Sequence, residues 1–234
     1  MAQQAEKGAN HILISPVEHH AVTRTAQQLA SVFGFEVEYL PVDSYGRVDP
    51  SDVARRIRPT TAVVSVIYAN NEIGTIQPVA EIGRIAKAHN VLFHVDGVQA
   101  VGKIPLDLSH SSIDLLSLSG HKLHAPKGVG ILYVRKATRL VPFMLGGHQE
   151  GGRRAGTENV PGIVGLGKAC ELAAANLDKT GVTVTVTPTD LTTAISGTTV
   201  TVRVSAPYTA ISILPTPWFL KTATLYNQSA MRHE

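Results

Sequence analysis

Apolar and polar positions alternate in blocks along the first three quarters of the chain. Short, nearly continuous apolar runs recur at 11–15 (HILIS), 61–68 (TAVVSVIY), 91–95 (VLFHV), 115–119 (LLSLS) and 130–134 (GILYV). Runs of this length, rich in β-branched residues, predict buried strands. Glu36–Pro41 reads as a further, more polar strand. Between them the spacing turns helical. Ala21–Phe33 is predicted to end at Gly34, and Asp49–Ile57 to begin with Asp49 as a cap ahead of Pro50. Val79–His89 places Val79, Ile82, Ile85 and Ala86 on one face, and Val160–Leu177 closes the region as a helix. Strands alternating with helices predict an α/β fold with a mainly parallel sheet. Ligands of such sheets sit at the carboxyl ends of the strands.

Beyond Asp178 the pattern changes. Val182–Thr187 (VTVTVT) and Val200–Val204 (VTVRV) alternate at period two, as half-exposed antiparallel strands do, with Ser196-Gly197 as the turn between them. Pro207, Pro215 and Pro217 interrupt the remainder of the chain. A boundary near Lys179 divides residues 1–178, an α/β unit, from 179–234, a β-rich tail of different character.

Charge and composition narrow the function only slightly. The 234 residues carry a net charge of +3 without clustering, which gives no sign of a nucleic-acid partner. The single cysteine, Cys170, rules out a disulfide within the chain. No apolar run approaches the roughly 20 residues of a membrane span, and Met1–Asn10 has no signal-peptide core. The expected location is cytoplasmic.

Candidate chemistry gathers where the predicted strands end. The first strand is followed by Glu18-His19-His20, and the strand at 61–68 by Asn70-Asn71-Glu72. The strand at 91–95 delivers Asp96 with Gln99 close behind, and the one at 115–119 runs into Ser119-Gly120-His121-Lys122. A lysine after a buried strand can serve as a Schiff-base nucleophile once neutral. An aspartate at a neighbouring strand end can hold the proton of a pyridine nitrogen. A histidine can lie over an aromatic ring and move protons, and Ser119 and His121 can donate to a phosphate. Each has a plainer alternative: Lys122 a solvated surface group, Asp96 a helix cap, Asn71 a loop hydrogen-bonding residue, His19 a structural histidine. Six histidines near strand ends (His19, His20, His94, His121, His124, His148) raise the question of a metal, but no compact ligand spacing appears and none is expected.

The wording of the motifs is more specific than their spacing. His94-Val95-Asp96 with Gln99, then Ser119-Gly120-His121-Lys122, then Arg154-Ala155-Gly156-Thr157-Glu158-Asn159 closely resemble the cysteine desulfurases of the class V aminotransferase group. Gly146-Gly147-His148-Gln149-Glu150 and Glu158-Asn159-Val160 resemble the nitrogen-fixation (NifS-like) branch, and the resemblance runs from about Asn10 to Leu177. It implies the large-domain fold of pyridoxal-phosphate-dependent transferases, here incomplete. It implies pyridoxal 5'-phosphate joined to Lys122, His19 stacked on the ring, and Asp96 on the ring nitrogen. Asn71 and Gln99 would meet the phenolic oxygen, and Ser119 and His121 the phosphate. Thr157 would reach the phosphate of the second subunit of a homodimer. The implied reaction takes L-cysteine to L-alanine, leaves a persulfide on an enzyme cysteine, and hands the sulfur to an acceptor or scaffold protein, as in iron–sulfur cluster assembly.

The resemblance also has gaps. In the family the nucleophilic cysteine and the arginine that holds the substrate carboxylate lie in a C-terminal segment, and a phosphate-binding turn with a threonine precedes the first strand. None is found in this sequence, and Cys170 lies within a predicted helix. The expectation is therefore a central fragment, inactive alone. The alternatives are a non-enzymatic remnant of a gene fusion or a role in envelope assembly. The latter comes from the tail: Val184-Thr185-Val186-Thr187-Pro188, Ser205-Ala206-Pro207-Tyr208, Trp218-Phe219-Leu220 and Ala230-Met231-Arg232 weakly resemble TadE-type pilus-assembly proteins.

Overall fold

The computed structural model describes residues 8–177, 183–189, 198–207 and 224–232. Every apolar run of the α/β unit is a strand: β1 (His11–Ile14), β3 (Thr61–Ile67), β4 (Leu92–Asp96), β5 (Leu115–Ser119) and β6 (Gly130–Val134). The more polar run is β2 (Glu36–Tyr39). The longer helices are α1 (His20–Phe33), α2 (Pro50–Arg56), α3 (Val79–Ala88) and α4 (Val160–Asn176). β4 is displaced one residue from its expected span, so Asp96 is its last residue rather than the first one after it.

Local chemistry fixes the helix ends. Asp49 accepts the Ser51 amide at 2.8 Å and Pro50 occupies the first turn of α2. α1 ends at Gly34, whose φ of 70° suits a residue without Cβ.

The six strands form one sheet in the order β2-β1-β3-β4-β5-β6. All neighbours are parallel except β5 and β6, which pair antiparallel. The sheet is mixed and mostly parallel, as the resemblance implies. Edge strand β2 is guarded by charge: Glu38 bonds Arg56 and Arg58, each at 2.5 Å, and Glu36 bonds Arg58 at 2.6 Å. Such groups discourage pairing with another chain.

The two faces of this sheet differ. Leu13, Val64, Val66, Phe93, Val95 and Leu116 point to one face and pack with Val53 of α2 and with Val79, Ile82 and Ala86 of α3 in the main core. Ile12, Ile14 and Val63 point to the other and pack against Ala26 and Leu29 of α1 in a smaller cluster. β1 is followed by a helix on the second face and β3 by a helix on the first. The crevice between β1 and β3 is thus a topological switch point.

Contacts divide the chain into two compact units, Met1–Ala175 and Asn176–Glu234. In the second, β7 (Thr183–Thr187), β8 (Thr199–Pro207) and β9 (Thr224–Arg232) form an antiparallel sheet in that order. β8 runs further than its alternating pattern predicts, because it also pairs along β9 as far as Pro207 opposite Thr224. β9 (TLYNQSAMR) was not anticipated, since it lacks period-two alternation. Ser196-Gly197, Pro215, Pro217, Tyr208 and Trp218-Phe219-Leu220 lie outside the described residues.

Candidate active site

The second face of the sheet opens into a cavity of about 600 Å³. Its apolar part comes from Ile12, Ile14, Val63 and Ile67 on the strands and from Val22 and Leu29 on α1. Its polar groups arrive at the carboxyl ends of the strands. His19, Asn71, Asp96, Gln99, Ser119, His121 and Lys122 all line it. Thr157 is exposed and does not. The structure thus brings together seven of the eight residues singled out in the sequence.

Each is placed by a local device. His19 is the N-cap of α1, its Nδ1 accepting the Ala21 amide at 3.1 Å. The ring therefore has a structural role while facing the cavity. Asp96 shows the same double use: one carboxylate oxygen accepts the Val98 amide at 3.0 Å, and the residue is 5% exposed. For Asn71 the two readings separate. The loop bonds belong to its neighbour, with Asn70 Oδ1 accepting the amides of Glu72 and Ile73 and its Nδ2 donating to Val17 O. Asn71 is left facing the cavity.

Ser119 and His121 are hydrogen-bonded to each other at 2.8 Å, at the start of a 3-10 turn, Gly120–Leu123, that carries Lys122. A Cβ on Gly120 would meet the Val129 carbonyl oxygen at 2.9 Å, so this turn requires glycine to close against the strand. Lys103 Nζ donates to Gln99 Oε1 at 3.2 Å. Burial, and then the like charge of Lys122, lower the Lys103 pKa.

Two serines in the cavity, Ser65 and Ser117, were not singled out in the sequence, and they hold His94. His94 bonds Ser65 Oγ through Nδ1 at 2.7 Å and Ser117 Oγ through Nε2 at 2.9 Å, a ladder across β3, β4 and β5. Burial holds the His94 pKa below its ordinary value. The signal was present, as Ser65, His94 and Ser117 interrupt apolar stretches of three strands. Glu18, in the turn just before His19, is buried, and its carboxyl is pushed up to about 8, chiefly by desolvation.

Among the described residues the one grouping with metal-ligand geometry is His11, Glu36 and Glu38. It belongs to the β2 edge, where Arg56 and Arg58 already hold the carboxylates. It is an ion-pair network.

The model of the family described as aminotransferase class-V matches residues 1–194. The chain belongs to the class-V aminotransferase family. This family depends in general on pyridoxal phosphate. A cysteine desulfurase IscS of Methanosarcina thermophila is 56% identical over 174 residues, which are 74% of this chain and 43% of the relative. The chain thus spans less than half the length of that relative. A solved structure described as a NifS-like protein is 41% identical, with a TM-score of 0.70 over 88% of this chain and 60% of that one. Another, described as SspA in complex with cysteine, is 36% identical, with a TM-score of 0.68 over 85% of this chain and 59% of that one.

The residues present fit the family's cofactor. A buried carboxylate, a cavity-facing amine, a histidine at a helix cap and a serine–histidine pair are donors and acceptors suited to a protonated pyridine, an aldehyde and a phosphate.

Proposed function

We propose that residues 1–178 are the cofactor-binding portion of a pyridoxal-phosphate-dependent cysteine desulfurase, acting on L-cysteine and passing sulfur to an acceptor or scaffold protein such as those of iron–sulfur cluster assembly. The single observation carrying this reading is the convergence of Asp96, Lys122, His19 and the Ser119–His121 pair on one cavity. Residues 179–234 receive no role.

Pyridoxal phosphate, when bound, supplies an electron sink that weakens bonds at the substrate's α-carbon. The chain's own residues do the rest. Lys122 would attach the cofactor through Nζ and, once released by substrate, move a proton. Asp96 would hold the ring-nitrogen proton, and His19 would lie over the ring. Asn71 and Gln99 would bond the phenolic oxygen, and Ser119 and His121 the phosphate. The apolar strand residues would exclude water and so strengthen each of these contacts.

The exposed position of Thr157 supports a homodimer in which it serves a second copy's cavity. It follows an exposed apolar stretch, with Phe143 96% and Leu145 79% exposed, which a second copy would cover. The only cysteine of the sequence, Cys170, lies on α4 and does not line the cavity. This chain alone is therefore expected to bind cofactor and substrate without accepting sulfur.

The test is addition of L-cysteine to the purified, cofactor-loaded protein. A visible spectral change seen with L-cysteine, absent in Lys122→Ala and without sulfide or alanine release, is expected. Bound cofactor whose spectrum ignores L-cysteine would overturn the substrate, and a Lys122-independent response would overturn the site.

A further inference from the structure

Glu18 is the strongest unused group in the molecule. It lies in the turn between β1 and α1, immediately before His19, at the switch point between β1 and β3. Its Oε1 accepts two hydrogen bonds, from Ser15 Oγ at the exit of β1 and from the Ile67 amide at the end of β3, both at 2.5 Å. Its Oε2 is buried and has no partner among the described residues. The next turn is tied down as well, since Asn70 Nδ2 donates to Val17 O at 2.8 Å.

We propose that Glu18 is a positioning residue of the cofactor site, its carboxyl clamping the turn that carries His19 onto the end of β3 beside Asp96. This inference rests on the cofactor reading above. An ionised carboxylate here would leave one buried oxygen with an uncompensated charge, so the geometry favours the neutral acid. Its pKa is raised to about 8, chiefly by desolvation and in smaller part by the charge of Asp96, against the opposing Ser15 and Ile67 hydrogen bonds. The other ionisable neighbour on β4, His94, is held neutral by burial and by two serine hydroxyls. The Asp96 charge opposes ionisation of Glu18, and Lys122 lines the same cavity. When Glu18 ionises, its unpartnered Oε2 carries a buried, uncompensated charge near Asp96, and the turn that carries His19 must shift to solvate it.

The pH effect has a definite sign. A carboxyl at about 8 in the fold and about 4.5 when unfolded leaves stability intact below pH 4.5 and erodes it as pH rises to 8.

The experiment compares the full chain with Glu18→Gln, which keeps the shape but cannot ionise. Two readouts are taken across pH 5 to 9.5: the Tm of the cofactor-free protein, and the pyridoxal phosphate Kd by absorbance. The wild-type Tm should fall between pH 5 and 8 relative to Glu18→Gln. The wild-type Kd should weaken by about tenfold across pH 8, a step worth one pKa unit of coupling, and the variant's by no more than about twofold. A merely structural role would move the Tm curves without a Glu18-dependent step in Kd. Glu18→Asp, which is shorter, should weaken binding at every pH, and Glu18→Gln should restore it. Identical pH profiles in wild type and Glu18→Gln would overturn the positioning role alone. Failure of the wild type to bind pyridoxal phosphate at any pH would overturn the cofactor reading, and the positioning role with it.

Discussion

Phe93 and His94 are neighbours on β4 and face opposite sides of the sheet. Phe93 is fully buried against α3 and packs with Val64, Val66 and Ile82. His94 faces the cavity and is held by two serine hydroxyls. The same contrast holds along β3, where Val64 and Val66 enter the core while Ser65 and Ile67 line the cavity. One face is filled and sets stability. The other is left open, carries polar groups, and is built to receive a ligand. Because the side-chain period of a strand is two, one strand can serve both needs without compromise.

Substitutions on the two faces should therefore separate stability from binding, and a failure to separate them would break the distinction. The largest stability effect is expected from Phe93→Ala, about 3–5 kcal/mol by denaturant unfolding, through lost burial and a cavity. Its cofactor affinity should be unchanged wherever the protein remains folded. Ser65→Ala and Ser117→Ala each leave one His94 ring nitrogen without its partner, at about 1–3 kcal/mol. Unlike the core substitution they should also alter cofactor affinity. A further step down is Asp49→Ala, which removes the cap of α2 on the filled side and should cost about 1 kcal/mol with no effect on binding.

The smallest effect is the sharpest test of the open face. Burial lowers the pKa of His94 from 6.5 in the fold. A histidine with a depressed folded value gives stability that is present above its unfolded pKa and lost as pH falls through about 6.5. His94→Gln should flatten part of that decline. His11, lowered by burial and by Arg58, should account for a further part. A slope unchanged in His94→Gln would mean that His94 is not buried as described.

The fold was legible because apolar runs and helical spacings agree with local end signals such as Asp49-Pro50 and Gly34. The site was legible through motif wording, since spacing alone left Lys122, Asp96 and His19 with plain alternatives. The structure shows why those alternatives could not be separated. His19 and Asp96 cap backbone and face the cavity at once. What the sequence hid was tertiary. The Ser65–His94–Ser117 ladder needs the β3-β4-β5 register, which brings Ser65 opposite His94. Glu18 is tied to the Ile67 amide, 49 residues away. β9 has no alternation of its own and takes its place by pairing with β8.

The most direct measurement is a visible-absorption titration of the purified chain with pyridoxal phosphate, with Lys122→Ala in parallel. A saturable band in the wild type that Lys122→Ala abolishes, at unchanged Tm of the cofactor-free proteins, is the predicted result. Equal spectra for the two proteins, or no band in a folded wild type, would contradict the assignment of the open face as a cofactor site.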